Sequence, residues 1–264
     1  MRTAPSPHAL TLHDVGKRFA THTAIDGVSL EIAAGTFVSI VGPSGCGKST
    51  LLNIIAGLLP MSSGRVDVFG EALIGINTRA SYMFQQDALL PWKTVLGNIQ
   101  FGLRLRGNNG ADAFARAQTW LERVGLKGCG NLYPHQLSGG MRKRVALAQC
   151  WIVEPDLILM DEPFSALDVH TRLRMESEIL DLWSGSGTTV VFVTHDLEEA
   201  IALSDQVFLL SAGPGSRLVG QYAVDLPRPR HLIDIKADAQ FHHVYRVIWN
   251  DLRQEVLDSY DRTR

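Results

Sequence analysis

The order of apolar and polar positions divides the chain into predicted strands and helices. Thr36 to Val41 is a short, β-branched apolar run, typical of a strand buried on both faces. Such runs and alternating patterns predict strands at 10–19, 24–32, 36–41, 64–69, 80–84, 157–160, 188–193, 206–210 and 217–219. Helical spacing of apolar residues predicts helices at 48–58, 95–105, 111–124, 138–153, 171–182 and 197–203. Breaks are expected at Gly27 and at 33–35.

Strands and helices alternate near both ends of the chain, whereas the middle is mainly helical. Alternation favours an α/β fold with a mostly parallel sheet and helices on both of its faces. The helical middle is expected to form a lobe inserted between the two halves of the sheet.

The first and last segments carry different patterns. Residues 1–8 are rich in proline and predict a loose tail. Beyond the breaks at Pro227 and Pro229, apolar residues at helical spacing predict an amphipathic helix. Its apolar face consists of Phe241, Val244, Tyr245, Ile248, Trp249, Leu252 and Val256. We expect this face to pack on its own domain, and a surface for a partner is the alternative.

Composition narrows the class of protein. The chain has 264 residues, enough for one large or two small domains, and its net charge of -2 argues against a general polyanion binder. Its 3 cysteines are too few for a disulfide framework and favour a reducing compartment. No secretory signal is recognisable, and the longest uncharged apolar stretch, around 51–61, is too short to cross a bilayer. Any membrane span would have to come from another chain.

The most specific motif is a glycine-rich loop between the strand at 36–41 and the helix at 48–58. It consists of Gly42, Pro43, Ser44, Gly45, Cys46, Gly47, Lys48, Ser49 and Thr50. Glycines let the backbone N–H groups turn inward, and the helix N-terminus favours an anion there. Lys48 is expected to reach the β- and γ-phosphates of ATP, and the Ser49 hydroxyl to ligate Mg²⁺. The alternative is an ordinary glycine-rich turn.

Two further strand ends carry candidate chemistry. Asp161 ends the strand at 157–160 and is expected near Mg²⁺, and Glu162 is placed to act as general base toward water. The alternative is an acidic pair that caps a loop. His195 closes the strand at 188–193, where either a γ-phosphate contact or an ordinary histidine fits the position.

Ser138, Gly139 and Gly140 begin a predicted helix in the inserted lobe. Such a helix start can bind phosphate, but a simple N-cap is the interpretation that the residues alone favour. The basic run 142–144 follows. Because no aromatic residues are interleaved with it, we expect a solvated helix face rather than a nucleic-acid patch.

Together these motifs resemble the ATPase subunit of ATP-binding cassette (ABC) transporters, over roughly 10–224 and in the family's order. The resemblance implies a P-loop NTPase (RecA-like) core at 9–86 and 154–225 with an N-terminal antiparallel β subdomain. It also implies a helical signature subdomain at 87–153, which makes 9–225 the ATPase domain and 226–264 an extension. Phe19 then corresponds to the aromatic residue that stacks on adenine. Gln85 corresponds to the glutamine that touches Mg²⁺ and water.

The resemblance also changes the interpretation of the helical lobe. It implies a head-to-tail homodimer with two shared ATP sites, in which Ser138, Gly139 and Gly140 bind the nucleotide held by the other subunit. Asp168 belongs to the loop 165–168 that crosses the interface, and His195 becomes a γ-phosphate contact. Lys48, Gln85, Glu162 and His195 are the implied catalytic residues. Met141 and Lys143 depart from the family, which commonly has glutamine at both positions.

Implied partners are separate transmembrane permease subunits and a solute-binding protein, with no nucleic acid, at the cytoplasmic face of the membrane. The segments 87–92 and 226–230 resemble importers for nitrate, aliphatic sulfonates, taurine and some pyrimidines. Three alternatives stay open: a cassette ATPase of DNA repair or translation, an exporter ATPase, and a non-catalytic nucleotide-binding module. The last conflicts with the intact Lys48, Glu162 and His195.

Overall fold

The computed structural model describes residues 7–262, with side chains described as far as Leu257. The strands are β1 (His8–Phe19), β2 (His22–Ala33), β3 (Phe37–Val41), β4 (Ser63–Val68), β5 (Glu71–Ala72), β6 (Ala80–Met83), β7 (Leu157–Asp161), β8 (Thr189–Val193), β9 (Gln206–Leu210) and β10 (Leu218–Ala223). The helices are α1 (Lys48–Ile55), α2 (Val95–Ile99), α3 (Phe101–Leu105), α4 (Ala111–Arg123), α5 (Gly139–Trp151), α6 (Val169–Trp183), α7 (Leu197–Leu203), α8 (Leu232–Ile235) and α9 (Ala239–Arg262). A 3-10 turn spans Pro134–Gln136.

A six-stranded sheet forms the centre of the molecule, in the order β10-β9-β3-β8-β7-β6. All neighbours from β9 to β6 are parallel, and only β10 runs antiparallel. Every residue of β3, β7 and β8 is buried, which explains their continuous apolar runs. Their register pairs Ile40 and Asp161 with Val193, so the carboxyl ends of these three strands meet at one edge. The predicted α/β fold with a mostly parallel sheet is confirmed.

The N-terminal part of the chain forms a second sheet of four antiparallel strands, in the order β2-β1-β4-β5. The expected antiparallel N-terminal sheet is therefore present, but Gly27 does not end a strand. It lies within β2 with φ of 68°, where the pairing of β1 and β2 shifts register between Val15 and Lys17. The glycine makes a bulge that bends the strand while the ladder continues on both sides.

Several local expectations differ from the structure. The predicted helix at 95–105 is divided into α2 and α3 at Gln100, although the backbone of that residue stays helical. His8 belongs to β1, so the loose tail expected at 1–8 does not include that residue, and the rest of this expectation falls mostly on residues 1–6, which lie outside the described part. The elements β5 and α8 are not predicted, because each has too few residues to show a period of apolar and polar positions. Among residues 7–262, no helix combines the length and apolar character needed to cross a membrane.

The C-terminal extension packs on its own domain, as expected. Phe241, Val244, Ile248 and Leu252 of α9 are buried in the same core as α7. Before α9, the buried Arg230 guanidinium donates hydrogen bonds to the carbonyls of Ile201, Ala202 and Ser204 at the end of α7. Burial lowers the pKa of Arg230 to about 10. The segment 226–230, noted above for its resemblance to a group of importers, therefore anchors the extension to α7.

Candidate nucleotide-binding site

The glycine-rich loop links β3 to α1 at the edge where the buried strands end. Gly45 and Gly47 have φ of 77° and 96°, which glycine adopts without strain. A Cβ atom at Gly47 would lie 2.7 Å from Ile25 Cδ1 of β2, so this position also lacks space for a side chain. Lys48 Nζ donates to the carbonyls of Gly42 at 2.9 Å and Pro43 at 3.1 Å. The loop is thus closed around its own ammonium group, with Ser44 and Gly45 exposed at the surface.

Cys46 takes a different position from its neighbours in the loop. Its side chain is only 1% exposed and belongs to the core beneath α1. Burial raises the pKa of the thiol. Cys46 can therefore face a phosphate only through its backbone, and its thiol is kept neutral and away from the surface of the loop.

Three oxygen-bearing side chains meet beside α1. Ser49 Oγ donates to Asp161 Oδ1 at 2.8 Å, and Tyr82 Oη donates to Asp161 Oδ2 at 3.3 Å. Burial raises the pKa of Asp161, and the hydrogen bonds from Ser49 and Tyr82 oppose that shift. A hydroxyl and a carboxylate are the oxygen ligands that Mg²⁺ takes alongside nucleotide phosphates, so Ser49 and Asp161 fit that ion. Tyr82 was not anticipated, because a tyrosine inside a predicted strand gives no signal beyond core packing.

Glu162 lies between two of the other predicted residues. Its Oε2 is 3.2 Å from His195 Nδ1 and accepts a hydrogen bond from Gln85 Nε2 at 3.4 Å. The Glu162 backbone has φ of 43°, and its N–H donates to the carbonyl of Val193 at 2.9 Å. A non-glycine residue in this left-handed region is strained, so the end of β8 holds the carboxylate in a defined place. The structure therefore brings Gln85, Glu162 and His195 together.

Phe19 lies at the turn between β1 and β2, and its ring is partly exposed. It stacks on the ring of His22 with centroids 5.2 Å apart. Further along β2, Ile25 contacts Gly47 of the glycine-rich loop. The hairpin that carries Phe19 thus lies next to the loop.

A second group of predicted residues lies in a separate groove of about 610 Å³. Ser138, Gly139 and Gly140 from the start of α5 line one wall, and Asp168 at the start of α6 lines the other. Ser138 Oγ accepts from the N–H of Met141 at 3.3 Å, which confirms the N-cap interpretation. Asp168 caps α6 by accepting from the N–H of Thr171 at 3.0 Å. The residues lining this groove come from 125–144 and 166–174, so it does not include the glycine-rich loop.

The expectation of a solvated helix face at 142–144 is wrong. Lys143 is buried, and its Nζ donates to the Gln85 carbonyl at 2.7 Å. Arg142 Nε donates to Asp87 Oδ2 at 2.9 Å, and the guanidinium of Arg144 bonds Glu178 of α6. The sequence did contain a signal that α5 is enclosed, because the apolar residues 145–148 follow one another and all four are buried. The charged side chains at the start of such a helix then contact neighbouring elements instead of solvent.

Comparison with known proteins agrees with the family resemblance of the sequence motifs. The family model described as ABC transporter matches residues 25–165. An aliphatic sulfonates import ATP-binding protein of Burkholderia ambifaria is 47% identical over 228 residues, which cover 86% of this chain and 68% of that protein. A taurine import ATP-binding protein of Pelagibacter ubique is 40% identical over 243 residues, 89% of this chain and 90% of that protein. An uncharacterized ABC transporter ATP-binding protein of Methanocaldococcus jannaschii is 43% identical over 236 residues, 89% of this chain and 86% of that protein.

Proposed function

The chain belongs to the ATP-binding subunits of ABC transporters, which are ATPases, and we propose that it powers import of aliphatic sulfonates, taurine or a related small solute such as nitrate. The observation that carries the substrate class is the 40–47% identity to taurine and sulfonate import proteins across at least 86% of the chain. As part of this proposal, we divide the chain into a core at 9–86 and 154–225, a helical subdomain at 87–153 and an extension at 226–264.

We assign the binding of ATP to the edge where β3, β7 and β8 end. The backbone of Gly42–Thr50 and the Lys48 ammonium would hold the phosphates, and Phe19 would stack on adenine. Ser49, Asp161 and Gln85 would hold Mg²⁺, which neutralises charge on the phosphates when it is bound. The hydrogen bond of 2.8 Å between Ser49 Oγ and Asp161 Oδ1 supports this, because two oxygens that would ligate one ion already lie side by side.

Glu162 is the proposed general base for hydrolysis. Its Oε2 would accept the proton of the attacking water, with Gln85 Nε2 and His195 Nδ1 holding the carboxylate in position. His195, at the end of β8, would also contact the γ-phosphate. In such phosphoryl transfers most of the rate enhancement comes from positioning and charge stabilisation, which suits residues fixed at the ends of buried strands.

The second groove would complete the site of another copy of the chain. Ser138, Gly139 and Gly140 expose a hydroxyl and a helix N-terminus, which suit a phosphate. They lie in a groove apart from Lys48 and Glu162. A head-to-tail homodimer would place this groove, together with Asp168, against the nucleotide of the partner. Such an arrangement gives two shared ATP sites, neither of which is complete in one chain.

A third surface suits the permease. Tyr82, Phe84, Leu90 and Phe101 line an apolar groove of about 320 Å³ next to Gln85. Trp92, at the end of the same loop, is 72% exposed. We propose that this groove docks a helix of separate transmembrane subunits at the cytoplasmic face of the membrane, in a system that includes a solute-binding protein and no nucleic acid.

The proposal is tested by purifying the chain from membranes with its permease and binding protein and placing the complex in lipid vesicles. We expect taurine or an alkanesulfonate to stimulate ATP hydrolysis and to be taken up in the import direction. A complex carrying Glu162→Gln should bind the solute but not transport it. Transport in the opposite direction would favour an exporter, and hydrolysis stimulated by DNA or ribosomes would favour an ATPase outside transport.

A further inference from the structure

The first turn of α5 is bonded to the loop that follows β6. Lys143 Nζ donates to the Gln85 carbonyl at 2.7 Å and lies 3.0 Å from Asp87 Oδ1. Arg142 Nε donates to Asp87 Oδ2 at 2.9 Å. One carboxylate is thus held by two cations from a single helical turn. These contacts join segments that lie more than 50 residues apart in the chain.

The ion pair of Lys143 and Asp87 is largely withdrawn from solvent, whereas Arg142 lies at its edge. Lys143 is 4% exposed, the Asp87 side chain 18% and the Arg142 side chain 36%. Charges in such surroundings are screened little by salt, and removing one partner leaves the other buried without compensation. The contacts therefore constrain the loop more strongly than a surface ion pair would.

The cluster also lies between two parts of the proposed nucleotide sites. On one side, Arg142 Nη1 donates to the carbonyl of Leu137 at 2.8 Å, immediately before Ser138. On the other, Lys143 holds the backbone of Gln85, whose side chain bonds Glu162. Along α5, Lys143 is only about 6 Å from Gly139, little more than one helical turn. A displacement of the start of α5 would therefore reach Gln85 through short, direct contacts.

We propose that Lys143, with Asp87 and Arg142, is a positioning residue that couples the two ATP sites of the dimer. It would transmit engagement of Ser138–Gly140 with the partner's nucleotide to Gln85 and Glu162 of its own chain. This inference rests on the proposed shared sites. In each protomer, Gly139 and Gly140 then contact one nucleotide and Glu162 contacts the other. A structural link between them therefore makes hydrolysis at one site depend on occupancy of the other.

The choice of lysine at position 143 strengthens the link. A glutamine at this position can donate to the Gln85 carbonyl but offers no charge to Asp87. A methionine has a similar length and offers neither. The series Lys143, Lys143→Gln and Lys143→Met thus removes first the charge and then the hydrogen bond, with little change in side-chain volume.

The test uses the full-length chain and measures three quantities: affinity for a non-hydrolysable ATP analogue, ATP-dependent dimerisation in a Glu162→Gln background, and hydrolysis against ATP concentration. We expect a Hill coefficient near 2, the number of sites, for the unmodified chain. Lys143→Met should lower it to about 1 and lower kcat about tenfold, since misplaced catalytic groups reduce rate steeply. Analogue affinity should stay within about twofold, because the cluster touches no residue of the glycine-rich loop.

Controls separate coupling from folding. Lys127→Met removes an exposed lysine of the same lobe and should leave the Hill coefficient and kcat unchanged. Lys143→Gln should have a Hill coefficient and a kcat between those of Lys143→Met and the unmodified chain. If Lys143→Met does not fold, Asp87→Asn, which nearly keeps the side-chain size, should lower the Hill coefficient and kcat in its place. An unchanged Hill coefficient and kcat in both Lys143→Met and Asp87→Asn would overturn the coupling role alone. Failure of the unmodified chain to dimerise with ATP would instead overturn the shared sites, and the coupling role with them.

Discussion

The two groups of candidate residues differ in how far each is completed by its own chain. At the edge formed by β3, β7 and β8, Lys48 is buried, Ser49 bonds Asp161, and Glu162 is held by His195. In the groove formed by α5 and α6, Ser138 and Asp168 are exposed and bond only the first turns of their own helices. The first region, which we call the preorganised region, holds its side chains against one another, whereas the second exposes its polar groups at the surface. The difference is what a site divided between two copies of a chain requires.

The largest effect is expected in the preorganised region. Glu162→Gln keeps the side-chain volume and can still bond Gln85 and His195, but it cannot accept a proton from water. We expect ATP hydrolysis to fall by roughly a hundredfold or more, the contribution typical of a general base, with ATP affinity nearly unchanged. Phosphate release and equilibrium binding of ATP measure the two quantities.

The matched control for that change is Glu71→Gln, an exposed acidic residue on β5. It should hydrolyse ATP at the unmodified rate. Near-normal turnover in Glu162→Gln would show that another group accepts the proton, and the assignment of the base would then be wrong.

The exposed groove should respond differently. Ser138→Asp preserves the helix cap but places a carboxylate where a phosphate is expected, whereas Ser138→Asn preserves the cap without a charge. Because like charges brought together across an interface cost several kcal/mol, we expect Ser138→Asp to reduce hydrolysis roughly a hundredfold. Ser138→Asn should stay within about threefold of the unmodified rate, since the helix start is intact.

Binding of ATP to the isolated chain distinguishes the groove from the glycine-rich loop. Both variants at position 138 should bind ATP as tightly as the unmodified chain when the protein is dilute. A weakened affinity in the monomer would mean that Ser138 acts within its own chain, which contradicts the divided site.

A smaller, pH-dependent effect is expected between α6, which lines the groove, and α7, which follows His195. Glu176 of α6 is 1% exposed, and burial, reinforced by the charge of Glu199 on α7, raises its pKa to about 8. A carboxyl whose pKa is higher in the folded than in the unfolded chain binds more protons when folded. Its contribution to the free energy of unfolding is therefore full below pH 4.5 and is lost as pH rises to about 8.

Glu176→Gln mimics the protonated form at every pH. Between pH 5 and pH 8, we expect the free energy of unfolding of the variant, relative to that of the unmodified chain, to rise by about 1–3 kcal/mol. Urea unfolding of both proteins measures this difference. Glu122→Gln, at an exposed position of α4, should show no such pH-dependent gain. Parallel stability curves for Glu176→Gln and the unmodified chain would contradict the raised pKa.

Sequence patterns predicted the preorganised region well, and physical reasons explain why. The glycine spacing at 42–47 and the apolar runs of β3, β7 and β8 are local signals, and parallel strands bring their carboxyl ends together at one edge. The contacts of Lys143 with Gln85 and Asp87 could not be predicted, because they join residues distant in the chain through tertiary packing. Gly27 was misjudged because a glycine in a strand pattern fits either a break or a bulge, and only the pairing distinguishes them.

The most direct test of the divided site mixes two inactive variants. In a Glu162→Gln background, which we expect to retain bound ATP, Lys48→Ala should disable the glycine-rich loop and Ser138→Asp should disable the groove. A mixed dimer then has one site with both halves intact and one with both disabled. The account predicts that neither variant alone retains ATP in a dimer, whereas the mixture retains about one ATP per mixed dimer, as head-to-tail symmetry requires. A mixture that retains no ATP, although the two variants are shown to associate, would contradict it.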